Sequence, residues 1–205
     1  MNIQKLIVVS YDPDVCALIE MNSAYSLTGV IDPDDMCVSK GIQHIGHDDE
    51  WPSIHAARQE DRIVMAIDDC VIRKRLAVEY GMGNLENLIA PDVWISTTVK
   101  LGRGCIVQMG CKISRDVILG DICKVNMDVT IHHDTIIGNA CTLAPGSRLL
   151  GNVILEDDVY IGSGAMILPR IRLAQGTVVG AGAVVNRNTR PGEVVAGVPA
   201  RTLNT

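Results

Sequence analysis

Between Ile95 and Val185 every sixth residue is Ile, Leu or Val: Ile95, Leu101, Val107, Ile113, Leu119, Val125, Ile131, Ile137, Leu143, Leu149, Leu155, Ile161, Ile167, Leu173, Val179 and Val185. Two positions before each stands a residue no larger than Ile, among them Val93, Cys105, Thr135, Ser147 and Ala183. Glycine often follows, as at Gly102, Gly120, Gly138, Gly162 and Gly180. A period of six fits neither a helix of 3.6 residues per turn nor a simple hairpin. It fits short strands with two inward side chains each, joined by tight corners, three strands closing one coil of a triangular prism. One coil buries little alone, so stacking creates the core. The repeat is unbroken, so no long loop is expected to interrupt it.

Residues 1–90 follow another rhythm. KLIVVS (5–10), SLTGVID (26–32) and RIVMAID (62–68) read as strands, and segments 14–22, 51–60 and 68–81 as helices. Pro52 suits a first helical turn and Gly81 a C-cap, with Ile72, Leu76 and Tyr80 as the buried stripe of the last helix. Strand–helix alternation implies a small parallel α/β, Rossmann-like domain over 1–84, followed by the repeat domain over 85–205, with 82–90 as a hinge. Such a domain often binds nucleotides where its first strand ends. Here that loop is SYDPDV, with no glycine, and Asp12 and Asp14 would repel a phosphate.

Composition narrows the classes. Hydrophobic residues make up 47% of the 205, enough for a core, and charged residues 20%. The absence of Phe implies an interior filled by small and branched side chains. A formal charge of −6 without a basic stripe argues against nucleic acid. No apolar run approaches a membrane span, and the N-terminus reads as a buried strand rather than a leader, so a cytoplasmic protein is expected. Seven cysteines without a Cys-x-x-Cys pair argue against a disulfide framework. Cys105, Cys111, Cys123 and Cys141 occupy the small inward position and read as packed thiols.

Two histidines interrupt the repeat in IHHDTIIG (131–138). If Ile131 points inward, His132 points outward and His133 falls at the next corner, so either could reach a cleft. A catalytic zinc wants three protein ligands, and only these two histidines lie in the repeat, so no metal is expected.

The strings VTIHHDTIIG, GNVILEDDVYIGSGAMILP, VVGAGAVV and AGVPAR, with looser echoes in GVID (29–32), AIDD before Arg73, and NLIAP, resemble the hexapeptide-repeat acetyltransferases of bacterial surface-sugar biosynthesis. That family includes UDP-4-amino-sugar N-acetyltransferases and sialic-acid O-acetyltransferases. The resemblance implies a left-handed parallel β-helix, acetyl-CoA as co-substrate, a homotrimer with sites at subunit seams, and a sugar acceptor held by the first domain. It implies His133 as general base with Asp134 as its acidic helper, and His132 as a wall of the cleft. Thr142, Gly151, Ser163 and Ala181 match CoA contacts, with Thr142 or the Gly151 N–H as oxyanion donor. Asp12, Asp14, Asp32 and Asp68 fall where the acceptor binds. The chain departs from the family at Asp12-Pro13-Asp14, where a glycine-histidine loop is usual, at Asp68-Asp69-Cys70, and at Thr142, where many members carry a second histidine. Transfer to an amino sugar is the leading expectation. Transfer to a sugar hydroxyl and a catalytically silent scaffold are the alternatives.

Overall fold

The computed structural model describes residues 3–203; the outermost residues of the two expected domains, 1–2 and 204–205, lie outside it. The first unit is a parallel four-stranded sheet of β1 (Gln4–Val9), β2 (Tyr25–Ile31), β3 (His44–Gly46) and β4 (Arg62–Met65), in the order β3-β2-β1-β4. Three helices accompany it: α1 (Pro13–Met21), α2 (Trp51–Ala57) and α3 (Cys70–Tyr80). β1 is buried on both faces, as a parallel strand covered on two sides should be. Leu6 and Val8 pack with Val15, Leu18 and Ile19 of α1, while Ile7 and Val9 pack with Trp51, Ile54, Leu76 and Tyr80 of α2 and α3. Asp12 and Asp69 cap α1 and α3, each accepting two backbone N–H groups of its first turn.

From Leu88 onward the chain winds as a three-sided column of two-residue strands; as far as Met166–Ile167 each pairs in parallel with the strand 18 residues later, as Ile118 with Ile136. One face has five strands and runs through Ile118, Ile136 and Ile154; a second has six and runs through Thr130, Arg148 and Met166. The third has eight and runs through Ile106, Lys124, Thr142 and Tyr160. It is closed by Val194–Ala196 and the antiparallel Arg201–Thr202. From Leu119 to Val185 the large aliphatic of each hexapeptide is at most 2% exposed, and the small residues two before it lie beside them in one interior stack. The four repeat cysteines are free and buried there.

The first unit docks on the eight-stranded face. Leu88, Ala90 and Ile106 join the α1 side of its core, and Ile122 and Ala140 join the α2–α3 side. Two buried cations cross the seam in opposite directions. Arg73 of α3, 1% exposed, donates to the carbonyls of Ile122, Ala140 and Cys141, and to those of Ile67 and Asp68. Lys124 of the column, also 1% exposed, reaches the ends of β1 and β4, where it meets Asp12 at 2.7 Å, Asp68 at 3.0 Å and the Ala66 carbonyl at 2.7 Å.

Two expectations change with the fold. In α3 the helical stripe assigned to Ile72 belongs to Arg73: Ile72 is 43% exposed, and the buried positions are Cys70, Arg73, Leu76, Ala77 and Tyr80. Residues 82–90 are no free hinge. Glu86 donates its N–H to the Ile63 carbonyl, and Leu88–Ile89 is the first strand of the eight-stranded face.

Candidate active site

From Gly104 to Gly182 each corner of the column is a two-residue turn whose second residue has positive φ. His133 and Asp134 form one such turn, between the six-stranded and five-stranded faces, with Asp134 at φ 57°. Aspartate is among the few side chains that tolerate this conformation, and Asp116, Asp128 and Asp158 occupy equivalent places. The corner therefore accounts for Asp134 structurally. What singles it out is its partner: the Asp134 carboxylate lies 2.7 Å from Nδ1 of His133. One coil below, Arg115 and Asp116 fold together in the same way at 2.9 Å, so the contact is a habit of this corner that here orients an imidazole. With Nδ1–H donating to Asp134, Nε2 is left as the acceptor.

Gly151 stands one coil above His133. A Cβ on Gly151 would lie 2.8 Å from both Cε1 and Nε2 of the imidazole, so the ring occupies the space that glycine leaves open. Gly151 is buried, its carbonyl accepts from Arg170, and its N–H makes no hydrogen bond among the described residues. An acceptor nitrogen and an unused backbone donor thus adjoin on one corner. His132 is exposed beside them, its N–H held by the Leu149 carbonyl at 2.9 Å.

The other residues singled out by sequence lie elsewhere in the chain. Ser163 and Ala181 share a different corner, one coil apart and exposed, between the eight- and six-stranded faces. Thr142 is fully buried on the eight-stranded face, its hydroxyl donating to the Asp68 carbonyl at 2.8 Å. Because that face is covered by the first unit, Thr142 braces the seam and is not beside His133; the unused backbone donor at this corner is the Gly151 N–H. Asp12, Asp32 and Asp68 gather at the ends of β1, β2 and β4, where all three are engaged. Asp12 caps α1 and holds Lys124, Asp68 holds Lys124, and Asp32 accepts the Tyr11 N–H at 2.6 Å and the Asp34 N–H at 3.1 Å. The carbonyl of Asp32 lies 3.0 Å from ring nitrogens of both His44 and His47. Asp14 is exposed. The negative loop thus carries its own internal cation. A small cavity of about 320 Å³ opens beside it, lined by Ser10, Ile31, Pro33, Asp48, Ile67 and Ile72 among others.

Sequence reasoning missed Lys124. It takes the outward position of its hexapeptide, as Lys112 does, and Lys112 is exposed. Nothing in the repeat distinguishes the two; only docking of the first unit does. Among the described residues no three His, Cys, Asp or Glu side chains come together as a metal site.

Residues 116–151 and 152–187 match the family model described as bacterial transferase hexapeptide (six repeats). Along its whole length the fold is that of a solved acetyltransferase. PerB of Caulobacter crescentus, crystallised with CoA and GDP-perosamine, superposes with a TM-score of 0.90 at 28% identity, covering 99% of each chain. The chain has the repeat and the fold of the hexapeptide-repeat acetyltransferases. The acetyltransferase domain of PglB from Neisseria gonorrhoeae, in complex with acetyl coenzyme A, is similar to it at 26% identity and a TM-score of 0.88, over 98% of this chain and 100% of that one. WeeI from Acinetobacter baumannii shares the fold at 24% identity and a TM-score of 0.81, over 98% and 100% of the two chains. A search of curated proteins finds no match. The column is accordingly a left-handed parallel β-helix, joined to a Rossmann-like sheet. No helix among the described residues is long and apolar enough to cross a membrane.

Proposed function

We propose that this protein moves the acetyl group of acetyl-CoA onto the amino group of a nucleotide-linked amino sugar, with His133 as general base. The observation that carries the reading is the corner itself: an imidazole oriented by a carboxylate, seated on a glycine whose N–H is unused. The similarity to PerB, solved with CoA and GDP-perosamine, supports the substrate pair. Variants of the perosamine N-acetyltransferase with one histidine changed to asparagine or alanine have also been solved with both molecules.

In the proposed reaction the acceptor amine attacks the thioester carbonyl while Nε2 of His133 takes its proton. The tetrahedral oxyanion is met by the Gly151 N–H. Collapse breaks the carbon–sulfur bond, and the proton on Nε2 passes to the leaving thiolate of CoA. Asp134 fixes the ring and offsets its transient charge. Transfer is direct. The interior thiols of Cys105, Cys111 and Cys123 face away from substrate, and burial pushes that of Cys111 up to about 11. Cys105 is raised further by its hydrogen bond with Cys123 and by burial, so none is a ready nucleophile.

The same geometry supports a homotrimer. A vertex of a triangle faces away from the opposite side, and the first unit covers the side opposite His133. Its acceptor-binding loops, in residues 1–84, therefore serve the histidine of a neighbouring copy. Beside His133 the outer side of the five-stranded face presents Ile118 and Ile136, 42% and 45% exposed, with Ile154 aligned on them. An apolar ladder of this kind suits burial against a second column. Ser163 and Ala181, on the other edge of the six-stranded face, would meet CoA from the neighbouring wall. Dependence on acetyl-CoA supports a cytoplasmic reaction.

The test is release of CoA, followed with a thiol reagent, from acetyl-CoA and a panel of nucleotide-linked amino sugars and their hydroxy analogues. Release with amines alone is expected. Release with hydroxy sugars alone would assign O-acetylation, and release with neither would leave a scaffold.

A further inference from the structure

Positive φ recurs at every sixth residue from Gly104 to Gly182, fourteen corners in all. Eleven carry Gly, Asp or Asn, the residues that suffer least there. The exceptions are Ile122, Ala140 and Arg170, at φ 52°, 56° and 64°. Two of these have a local reason. Ile122 and Ala140 are buried under the first unit, and their carbonyls receive the Arg73 guanidinium, so docking offsets the strain. Arg170 has no such compensation. Its side chain is exposed and makes no hydrogen bond or ion pair among the described residues.

Its place gives a reason. Arg170 lies on the same vertex as His133, and its backbone N–H donates to the carbonyl of Gly151 at 3.1 Å. The second residues of successive turns on this vertex are Asp116, Asp134, Asn152 and Arg170, so the column passes from acid to base as it rises away from the imidazole. Of the neighbouring cations, Arg115 is paired with Asp116, Arg172 with Glu156, and Arg187 with Glu193 and Thr202; Arg148 is exposed without a side-chain partner among the described residues, but it lies on the six-stranded face and not on this vertex. Arg170 stands 36 residues, two coils, beyond Asp134, a rise of roughly 10 Å at the spacing of neighbouring strands. The arm of CoA between sulfur and pyrophosphate has about thirteen backbone bonds and spans roughly 15 Å when extended. A thioester at His133 with its arm along this vertex brings its phosphates within reach of an arginine side chain that starts two coils up.

We propose that Arg170 is a donor-specificity residue, holding a phosphate of the CoA co-substrate and keeping its unfavourable backbone conformation for that purpose. This rests on the acetyltransferase reading of the His133 corner and adds the residue that recognises the far end of the donor. The test is calorimetric titration of the full chain with CoA and with 3′-dephospho-CoA, using the wild type and Arg170→Asn. Asparagine suits the corner, so the variant should fold and melt a few degrees higher. Its Kd for CoA should rise about tenfold or more, the loss expected of a charge-assisted contact. An equal loss with 3′-dephospho-CoA assigns the contact to the pyrophosphate; a loss confined to CoA assigns it to the 3′-phosphate. A variant that binds CoA as tightly as the wild type overturns the proposal. So does a variant that binds weakly but melts lower, since that loss would be structural. Failure of the wild type to bind CoA would instead overturn the acetyltransferase reading.

Discussion

The imidazole of His133 occupies the space a side chain at Gly151 would need: a Cβ there would stand 2.8 Å from Cε1 and from Nε2. The residue that sets the position of this ring is therefore one coil away, and it acts by having no side chain. Gly151→Ala should force the ring to turn. Such a displacement costs on the order of 10²-fold in kcat, with CoA affinity and thermal midpoint little changed. Steady-state kinetics beside a CoA titration checks this; unchanged kcat would show that the ring need not sit there.

Removing the base and removing its helper should be distinguishable. His133→Gln should lower kcat by roughly 10²–10⁴. Asp134→Asn keeps a residue that tolerates the corner conformation but loses the carboxylate, and should lower kcat by at least about tenfold while the fold stays intact. Circular dichroism and saturating acetyl-CoA kinetics separate the two effects. If His133→Gln retains wild-type kcat, the assignment of the base is wrong.

The domain seam depends on two buried cations more than on any hinge. Arg73→Met leaves the carbonyls of Ile122, Ala140 and Cys141 without their donor, and should destabilise by about 2–5 kcal/mol. Lys124→Met strands Asp12 and Asp68 beside each other and should cost a similar amount. Chemical denaturation is the measurement. A loss under about 0.5 kcal/mol for either, the range of an ordinary surface substitution, would contradict its role in the seam.

Acid sensitivity should begin at the C-terminal strap. Glu193 accepts from the Thr202 hydroxyl, the Arg190 N–H and Arg187, and these hold its carboxyl down to about 2, with the Thr202 contact the largest cause. A carboxyl lowered in the folded state stabilises above its unfolded value of about 4.3, and that stability is lost as pH falls from there toward 2. Glu193→Gln should thus melt earlier than the wild type at pH 6, and the gap should narrow by pH 3. A gap that stays constant with pH would rule out the carboxylate as its source.

The apolar ladder beside His133 should be an interface. Ile136→Asp places a charge at the middle of the Ile118–Ile136–Ile154 row and should shift the chain from trimer toward monomer in sedimentation velocity, with activity lost in parallel. A variant that remains trimeric would place the interface on another face.

Much of this molecule is legible from its sequence because the repeat leaves few choices. A side chain every six residues must fill a shared interior, so the column, its buried thiols and the outward turn of His132 and His133 follow from spacing alone. The strands and helices of the first unit are legible for the same reason, being periodic and capped. Where the pattern misleads, a polar residue has taken an apolar role or an outward residue has been covered. Arg73 stands in the stripe read for Ile72, and Lys124, outward in its hexapeptide, is covered by the first unit. Hydrophobic periodicity does not see a guanidinium whose donors are all met by carbonyls.

What the sequence alone determined is therefore everything set by short-range repetition: the coil, its corners, and the adjacency of His133 to Asp134. Only the tertiary structure decided which outward positions are buried, that Gly151 lies against the imidazole, and that the first unit covers the face opposite the His133 vertex. These relations join residues 18 or more positions apart, and they come from stacking and docking, which no local pattern records.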